Sequence, residues 1–89
     1  MPRVFFTPNL KRHIGDRNGA SPGSTVAEVL DAHFAGQPLA RSYVLDDQGA
    51  LRRHMNIMVC GQPIRDRIEL SDPVPEDGEI YVLQALSGG

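Results

Sequence analysis

The stretch TVAEVLDAHF, residues 25–34, is the part of the sequence from which structure is most directly predicted. Thr25, followed three residues later by Glu28, has the form of a capping box, in which two side chains satisfy free amides at a helix start. Gly36 suits a helix C-cap and Pro38 prevents continuation, so a single amphipathic helix of about ten residues is predicted. Its apolar or ring side chains recur with helical periodicity at Val26, Val29, Leu30, His33 and Phe34.

Strand-like runs follow this helix. The runs at residues 43–45 and 50–52 predict a hairpin closed by a glycine-containing turn. The run MNIMVC, residues 55–60, is apolar on both faces apart from Asn56, which is typical of a strand in the middle of a sheet. After a surface connection rich in proline and acidic residues, residues 80–83 predict the last strand.

The segment before the helix carries weaker patterns. Residues 4–6, Val-Phe-Phe, predict a first strand. Leu10 and Ile14 suit one side of a helical turn that begins at Pro8, and the loop-like stretch up to residue 24 leaves room for a weak second strand. This order predicts an α+β fold, with one main helix packed across a mixed sheet of roughly four to five strands.

The chain of 89 residues has room for one domain with one small core. We assign residues 1–84 to that domain and residues 85–89 to a flexible tail. A net charge of −2 gives the whole molecule no general attraction for nucleic acid or an anionic membrane. The sequence has no apolar run of membrane-spanning length and no signal-peptide pattern, so we expect no membrane partner and a cytoplasmic location.

Side chains that often carry catalysis do not form a familiar motif in this sequence. The three histidines lie in three different elements, and His33 is expected to be packed and hydrogen-bonded rather than bound to a metal. Cys60 is expected to be a small buried hydrophobe, with a reactive thiol as the alternative. The basic clusters at residues 11–13 and 52–54 are expected to be solvated surface.

The chain ends in Gly88-Gly89, a pair expected by chance in roughly one sequence in 200. It follows the last predicted strand after the short spacer QALS, residues 84–87. Because glycine has no side chain, an extended tail of this kind can enter a narrow channel in a partner enzyme. The pattern predicts a presented C-terminal carboxylate, and a frayed tail without function is the alternative.

Three stretches together resemble the ThiS/MoaD group of β-grasp, ubiquitin-like sulfur carrier proteins. They are the helix start at residues 25–30, the strand at residues 56–61, and the run VPEDGEIYV at residues 74–82, which leads to the terminal Gly-Gly. The acidic turn into a final strand that closes on two glycines is the specific part. The resemblance implies a β-grasp fold and a carrier rather than an enzyme.

The resemblance also implies a reaction sequence. An E1-like enzyme would adenylate the carboxylate of Gly89 with ATP and Mg²⁺, while the carrier itself binds no cofactor and no metal. A sulfurtransferase or other sulfur donor would convert the acyl-adenylate to a thiocarboxylate. A downstream synthase would then use the sulfur for molybdopterin, thiamin, cysteine or a related metabolite. Leu86, Ser87 and Gly88 would present Gly89, and the free carrier is expected to be monomeric.

Alternation along the last strand predicts where a partner docks. If Ile80 and Val82 face the core, Tyr81 and Leu83 face outward beside Ala85 and form a partner-docking face. The alternative is that residues 7–24 cover these side chains.

Two other functions fit the same sequence. A ubiquitin-like modifier would be conjugated through Gly89 to lysines of target proteins, and the single lysine, Lys11, makes chain-building on itself less favoured. An interaction domain with an incidental tail would keep its function after removal of Gly88 and Gly89.

Overall fold

A five-stranded mixed sheet forms the frame of the protein in the computed structural model, which describes residues 1–84. The strands are β1 (Arg3–Phe6), β2 (Gly19–Ala20), β3 (Met55–Val59), β4 (Gln62–Pro63) and β5 (Glu79–Gln84). Their order across the sheet is β2-β1-β5-β3-β4, with β5 parallel to β1 and antiparallel to β3. The predicted α+β class and mixed sheet are confirmed, although β5, not β3, is the central strand.

Three helices pack on this sheet: α1 (Pro8–Ile14), α2 (Val26–His33) and α3 (Pro38–Val44). The predicted start of α2 is confirmed, because the Thr25 hydroxyl accepts from the backbone N–H of Glu28 at 3.2 Å. The Glu28 carboxylate reaches one residue further back than expected and accepts from the backbone N–H and hydroxyl of Ser24. These hydrogen bonds lower the pKa of Glu28.

The two strands of the predicted hairpin at residues 43–45 and 50–52 are wrong, although its glycine-containing turn is present, with the N–H of Asp46 donating to the carbonyl of Ala50 at 2.8 Å. Residues 43 and 44 end α3, and only Leu45 and Leu51 pair, as one isolated antiparallel bridge. Pro38, expected only to end the preceding helix, begins α3, because proline is well tolerated in the first turn of a helix. Ala40 and Val44, four residues apart, then lie on one buried face.

The elements predicted for the segment before α2 are present in the structure. Leu10 and Ile14 are buried on α1, which begins at Pro8 as expected. The second strand is present but has only two residues, which explains its faint signature. Beyond β2, the N–H of Phe6 donates to the side-chain oxygen of Asn18 at 2.9 Å, so a side chain continues the edge pairing of β1.

The core lies on one face of the sheet, where all three helices among residues 1–84 contribute their buried side chains. The sheet contributes alternate residues to it, namely Val4, Phe6, Met55, Ile57, Ile80 and Val82. None of these three helices has both the length and the apolar character needed to cross a membrane.

Two aspartates organise the connection between β4 and β5. Asp72 accepts from the backbone N–H groups of Arg65 and Asp66. Asp66 accepts from the Ser71 hydroxyl and from the backbone N–H groups of Ile68 and Glu69. The Ser71 hydrogen bond is the largest cause that lowers the pKa of Asp66 to about 2. This loop places Leu70 in the core, where it is 2% exposed.

Candidate functional site

The candidate site is the end of β5, where the chain leaves the sheet. β5 pairs on both sides, with Phe6 opposite Val82 and Met55 opposite Gln84. A strand that is hydrogen-bonded on both edges has a fixed position, so the point at which the tail begins is also fixed. The predicted tail residues lie outside the described residues. Their roles stay predictions: docking for Ala85, presentation for Leu86, Ser87 and Gly88, and modification for Gly89.

The start of α1 holds the last residues of β5. The backbone N–H of Thr7 donates to the carbonyl of Val82 at 3.3 Å. The Asn9 amide donates to the side-chain oxygen of Gln84 at 2.9 Å, immediately before the tail. Nothing in the sequence pairs Asn9 with Gln84, because 75 residues separate them.

Tyr81 and Leu83 lie on the face of the sheet opposite the helices, as the alternation predicts. Tyr81 is 42% exposed and Leu83 is half-buried, whereas Ile80 and Val82 are fully buried. Phe5 of β1 is opposite Tyr81, and their rings stack with centroids 4.9 Å apart.

We call this surface the open face and define it by Phe5, Asn56, Met58, Tyr81 and Leu83. Met58 is opposite Tyr81 and Asn56 is opposite Leu83 in the pairing of β3 with β5. Phe5 and Met58 were not singled out from the sequence, although alternation about Val4-Phe5-Phe6 and Ile57-Met58 could have found them. Phe5 and Met58, which flank Tyr81, belong to the adjoining strands, and α1 packs its buried side chains into the core on the other face, so α1 does not cover Tyr81. Partner docking here remains a prediction.

Arg67 supports the open face at the tail end and was missed from the sequence. One guanidinium nitrogen donates to the Asn56 side-chain oxygen at 3.0 Å. The other donates to the carbonyls of Met55 at 2.7 Å and Arg52 at 3.0 Å. The guanidinium therefore fixes Asn56 and the turn that leads into β3.

Charged pairs mark the opposite end of the sheet. The Met1 amine lies 2.8 Å from a carboxylate oxygen of Glu76, and the Arg3 guanidinium lies 2.9 Å from Glu79. All four groups are substantially exposed, so each pair stabilises the fold by less than about 1 kcal/mol.

The expected burial of Cys60 is wrong, because the residue is exposed. β3 ends at Val59, and Cys60 lies in the following turn with a φ of 49°, outside the strand in which burial was expected. Its backbone N–H still donates to the Glu79 carbonyl at 2.9 Å. The alternative role as a reactive thiol stays a prediction.

His33 is packed and hydrogen-bonded, as expected. Its Nε2 donates to the carbonyl of Arg17, so in the neutral ring Nδ1 accepts from the Ser21 hydroxyl at 2.9 Å. The ring packs beside Phe6 and Phe34. Within residues 1–84, no group of three or more His, Cys, Asp or Glu side chains is arranged to hold a metal ion.

Solved structures with the same architecture span the whole chain. A chain of the BexX/CysO complex of Amycolatopsis orientalis matches with a TM-score of 0.81 and 22% identity, over 100% of both chains. SAMP1 of Haloferax volcanii matches with a TM-score of 0.75 and 25% identity, over 99% of this chain and 98% of that one. CysO of Mycobacterium tuberculosis, described as an antigen, matches with a TM-score of 0.79 and 21% identity, over 97% of this chain and 100% of that one.

The sequence matches no family model and no curated protein. The structural likeness nevertheless establishes the architecture, and the expected β-grasp, ubiquitin-like fold is confirmed.

Proposed function

We propose, from the premise that this chain has the β-grasp fold of ubiquitin-like sulfur carriers and modifiers, that it is a sulfur carrier charged at Gly89. One observation carries the proposal: the central strand of the sheet leads, after Gln84, into a five-residue tail that ends in Gly-Gly. The fixed strand gives the tail a defined origin, and glycine removes side-chain bulk where the carboxylate must enter an enzyme.

The proposed chemistry takes place in a partner. The Gly89 carboxylate attacks the α-phosphorus of ATP, and pyrophosphate leaves with its Mg²⁺. A sulfide equivalent from a sulfur donor then attacks the acyl carbon, AMP leaves, and a thiocarboxylate remains on Gly89. Finally, the sulfur passes to an acceptor in a downstream synthase. The chain supplies the acyl group and a docking surface, so it acts as a substrate and not as a catalyst.

The open face is the proposed docking surface for that partner. It combines two stacked aromatic rings, Phe5 and Tyr81, with Met58 in one row across three strands. Aromatic and methionine side chains are enriched in protein interfaces. Leu83 continues this surface toward the tail, so a partner on the open face would also be close to the emerging carboxylate.

A second candidate is a ubiquitin-like modifier attached through Gly89 to lysines. The likeness to SAMP1 favours it, since related SAMP1 structures are described as small archaeal modifier proteins. Activation of the carboxylate is common to both candidates, and they differ in whether sulfur or a lysine amine displaces AMP. A third candidate, an interaction domain with an incidental tail, requires no activation.

Intact mass spectrometry separates these candidates. The full chain is incubated with an adenylating enzyme of its own organism, ATP, Mg²⁺ and a sulfide donor. We expect the mass increase of one oxygen replaced by sulfur, and no change in a matched chain that lacks Gly89. Adducts joined to lysines of other proteins would favour the modifier. An unmodified wild-type chain under these conditions would reject activation at Gly89.

A further inference from the structure

Two basic clusters that are far apart in sequence flank the same end of β5. Residues 52–54 immediately precede Met55, which is opposite Gln84 in the sheet. Residues 11–13 lie on α1, whose first turn contacts Gln84 through Asn9. Gln84, the last described residue of β5, therefore lies between the elements that carry the two clusters.

Side-chain contacts connect the two clusters around this end of the molecule. The His13 ring stacks on Tyr43 of α3, with centroids 5.1 Å apart. Next to Tyr43, the Ser42 carbonyl accepts from the Arg52 guanidinium at 2.7 Å. We call this surface the basic collar and define it by Lys11, Arg12, His13, Arg52, Arg53 and His54.

Two cations of the collar are available for a partner. Arg12 and Arg53 are exposed, and neither has a carboxylate within 4.0 Å in the part of the chain from residue 1 to residue 84. Lys11, by contrast, lies 4.0 Å from Asp16, and Arg52 donates to a carbonyl. At the other end of the sheet the two cationic groups, the Met1 amine and Arg3, are already paired with Glu76 and Glu79. Arg12 and Arg53 are therefore cations without a carboxylate partner among residues 1–84, and they lie at the end of the sheet where β5 ends.

The collar adjoins the open face. Arg67 joins them, because its guanidinium binds both the Asn56 side chain on the open face and the carbonyl of Arg52 in the collar. A partner seated on the open face and drawing in the tail would thus meet the collar as a polar rim. Rim charges of this kind govern association rate and specificity.

We propose that the basic collar binds an acidic protein surface around the opening through which the activating partner receives the tail. The inference rests on the proposed function. Protein is favoured over single-stranded nucleic acid because both tyrosines near this end already stack within the protein, Tyr43 on His13 and Tyr81 on Phe5, whereas binding of single strands relies on aromatic rings that are open to bases.

The kinetic test uses the full chain and the enzyme that adenylates it. Arg12→Glu with Arg53→Glu is expected to raise the KM for the carrier about tenfold, with kcat unchanged, and to weaken the dependence of kcat/KM on salt. Arg65→Glu, an exposed charge change beside β4, serves as the control and should change KM less than about twofold. An unchanged KM in the double variant would overturn the proposal.

A binding test does not depend on that enzyme. Amide NMR shifts of the full chain are followed during titration with an oligoglutamate peptide, an oligoglutamine peptide of equal length and oligo-dT. We expect salt-sensitive shifts at residues 11–13 and 52–54 with oligoglutamate only, lost in Arg12→Gln with Arg53→Gln. Stronger binding of oligo-dT, or no shifts at the collar, would contradict an acidic protein partner. Failure of the wild-type chain to be adenylated would instead count against the proposed function.

Discussion

Ile80 and Tyr81 are neighbours in β5, yet their side chains lie on opposite faces of the sheet. Ile80 is 0% exposed beneath the helices, whereas Tyr81 is 42% exposed and contacts Phe5 across the strand pair. Burial against the helices contributes stability in proportion to apolar area, and the open face contributes little of that kind. If the open face is the docking surface, as proposed, single substitutions within this one strand should separate stability from partner binding.

The largest expected effect is a loss of stability from substitution on the face of the sheet that the helices cover. Ile80→Ala should lower the free energy of unfolding by about 2–5 kcal/mol, because it leaves a cavity among fully buried side chains. Tyr81→Ala should cost less than about 1.5 kcal/mol, mainly the stacking with Phe5. Urea unfolding of both variants measures the difference. Equal losses would contradict the division of roles between the two faces.

The next largest effect is on adenylation by the partner enzyme, where substitution on the open face should matter more than substitution in the core. Tyr81→Ala should raise the KM for the carrier about tenfold or more in the adenylation assay, since aromatic side chains dominate interface energies. Leu39→Ala, which removes an apolar side chain that is 85% exposed on α3, is the control and should leave KM unchanged. If both variants behave alike, the open face is not the docking surface.

Arg67 tests how the tail end of the open face is held. Arg67→Ala should lower the free energy of unfolding by about 1–3 kcal/mol, because the Met55 and Arg52 carbonyls lose their charged donor. Arg67→Lys should recover only part of this, since an ammonium cannot reproduce the planar fork of donors. Arg65→Ala, two residues earlier and exposed, should change stability by less than about 0.5 kcal/mol. A loss of the same size at Arg65 would refute the assignment.

The smallest expected effect is on the pH dependence of stability, and it comes from Asp66 in the connection between β4 and β5. The folded state holds the pKa of Asp66 at about 2, below its ordinary 3.8, so its stabilising contribution is complete above pH 3.8 and is lost as the pH falls through about 2. Ser71→Ala removes the largest cause and should raise this pKa, so acid unfolding begins at higher pH. Titration of the Asp66 carboxyl by NMR measures the shift, with Ser42→Ala as control. An unchanged Asp66 pKa would disprove the role of Ser71.

The elements predicted correctly are those with a local periodic pattern. α2 has a cap and a 3.6-residue repeat, and β5 is a run of four apolar, β-prone residues that alternate between the two faces of the sheet, so both could be found without knowing their partners. The helix that begins at Pro38 was not predicted, because a proline can both end one helix and begin the next. Only the packing of Ala40 and Val44 decides between a helix and a strand at this position.

The contacts at the tail end could not be predicted, because they join distant parts of the chain. Asn9 reaches Gln84 across 75 residues, and Arg67 reaches Asn56 across 11. The central position of β5 likewise depends on a parallel pairing with β1 at the other end of the chain. Cys60 was misplaced because its positive φ ends the strand one residue earlier than the apolar run suggested.

The central claim is that Gly89 carries the sulfur, and tandem mass spectrometry of the C-terminal peptide tests it most directly. After incubation with the adenylating enzyme, ATP and a sulfide donor, the fragment ions should place one sulfur-for-oxygen replacement on Gly89, and omission of ATP should abolish it. Sulfur located on Cys60 instead, or a C-terminal peptide that stays unmodified while ATP is consumed, would contradict the account.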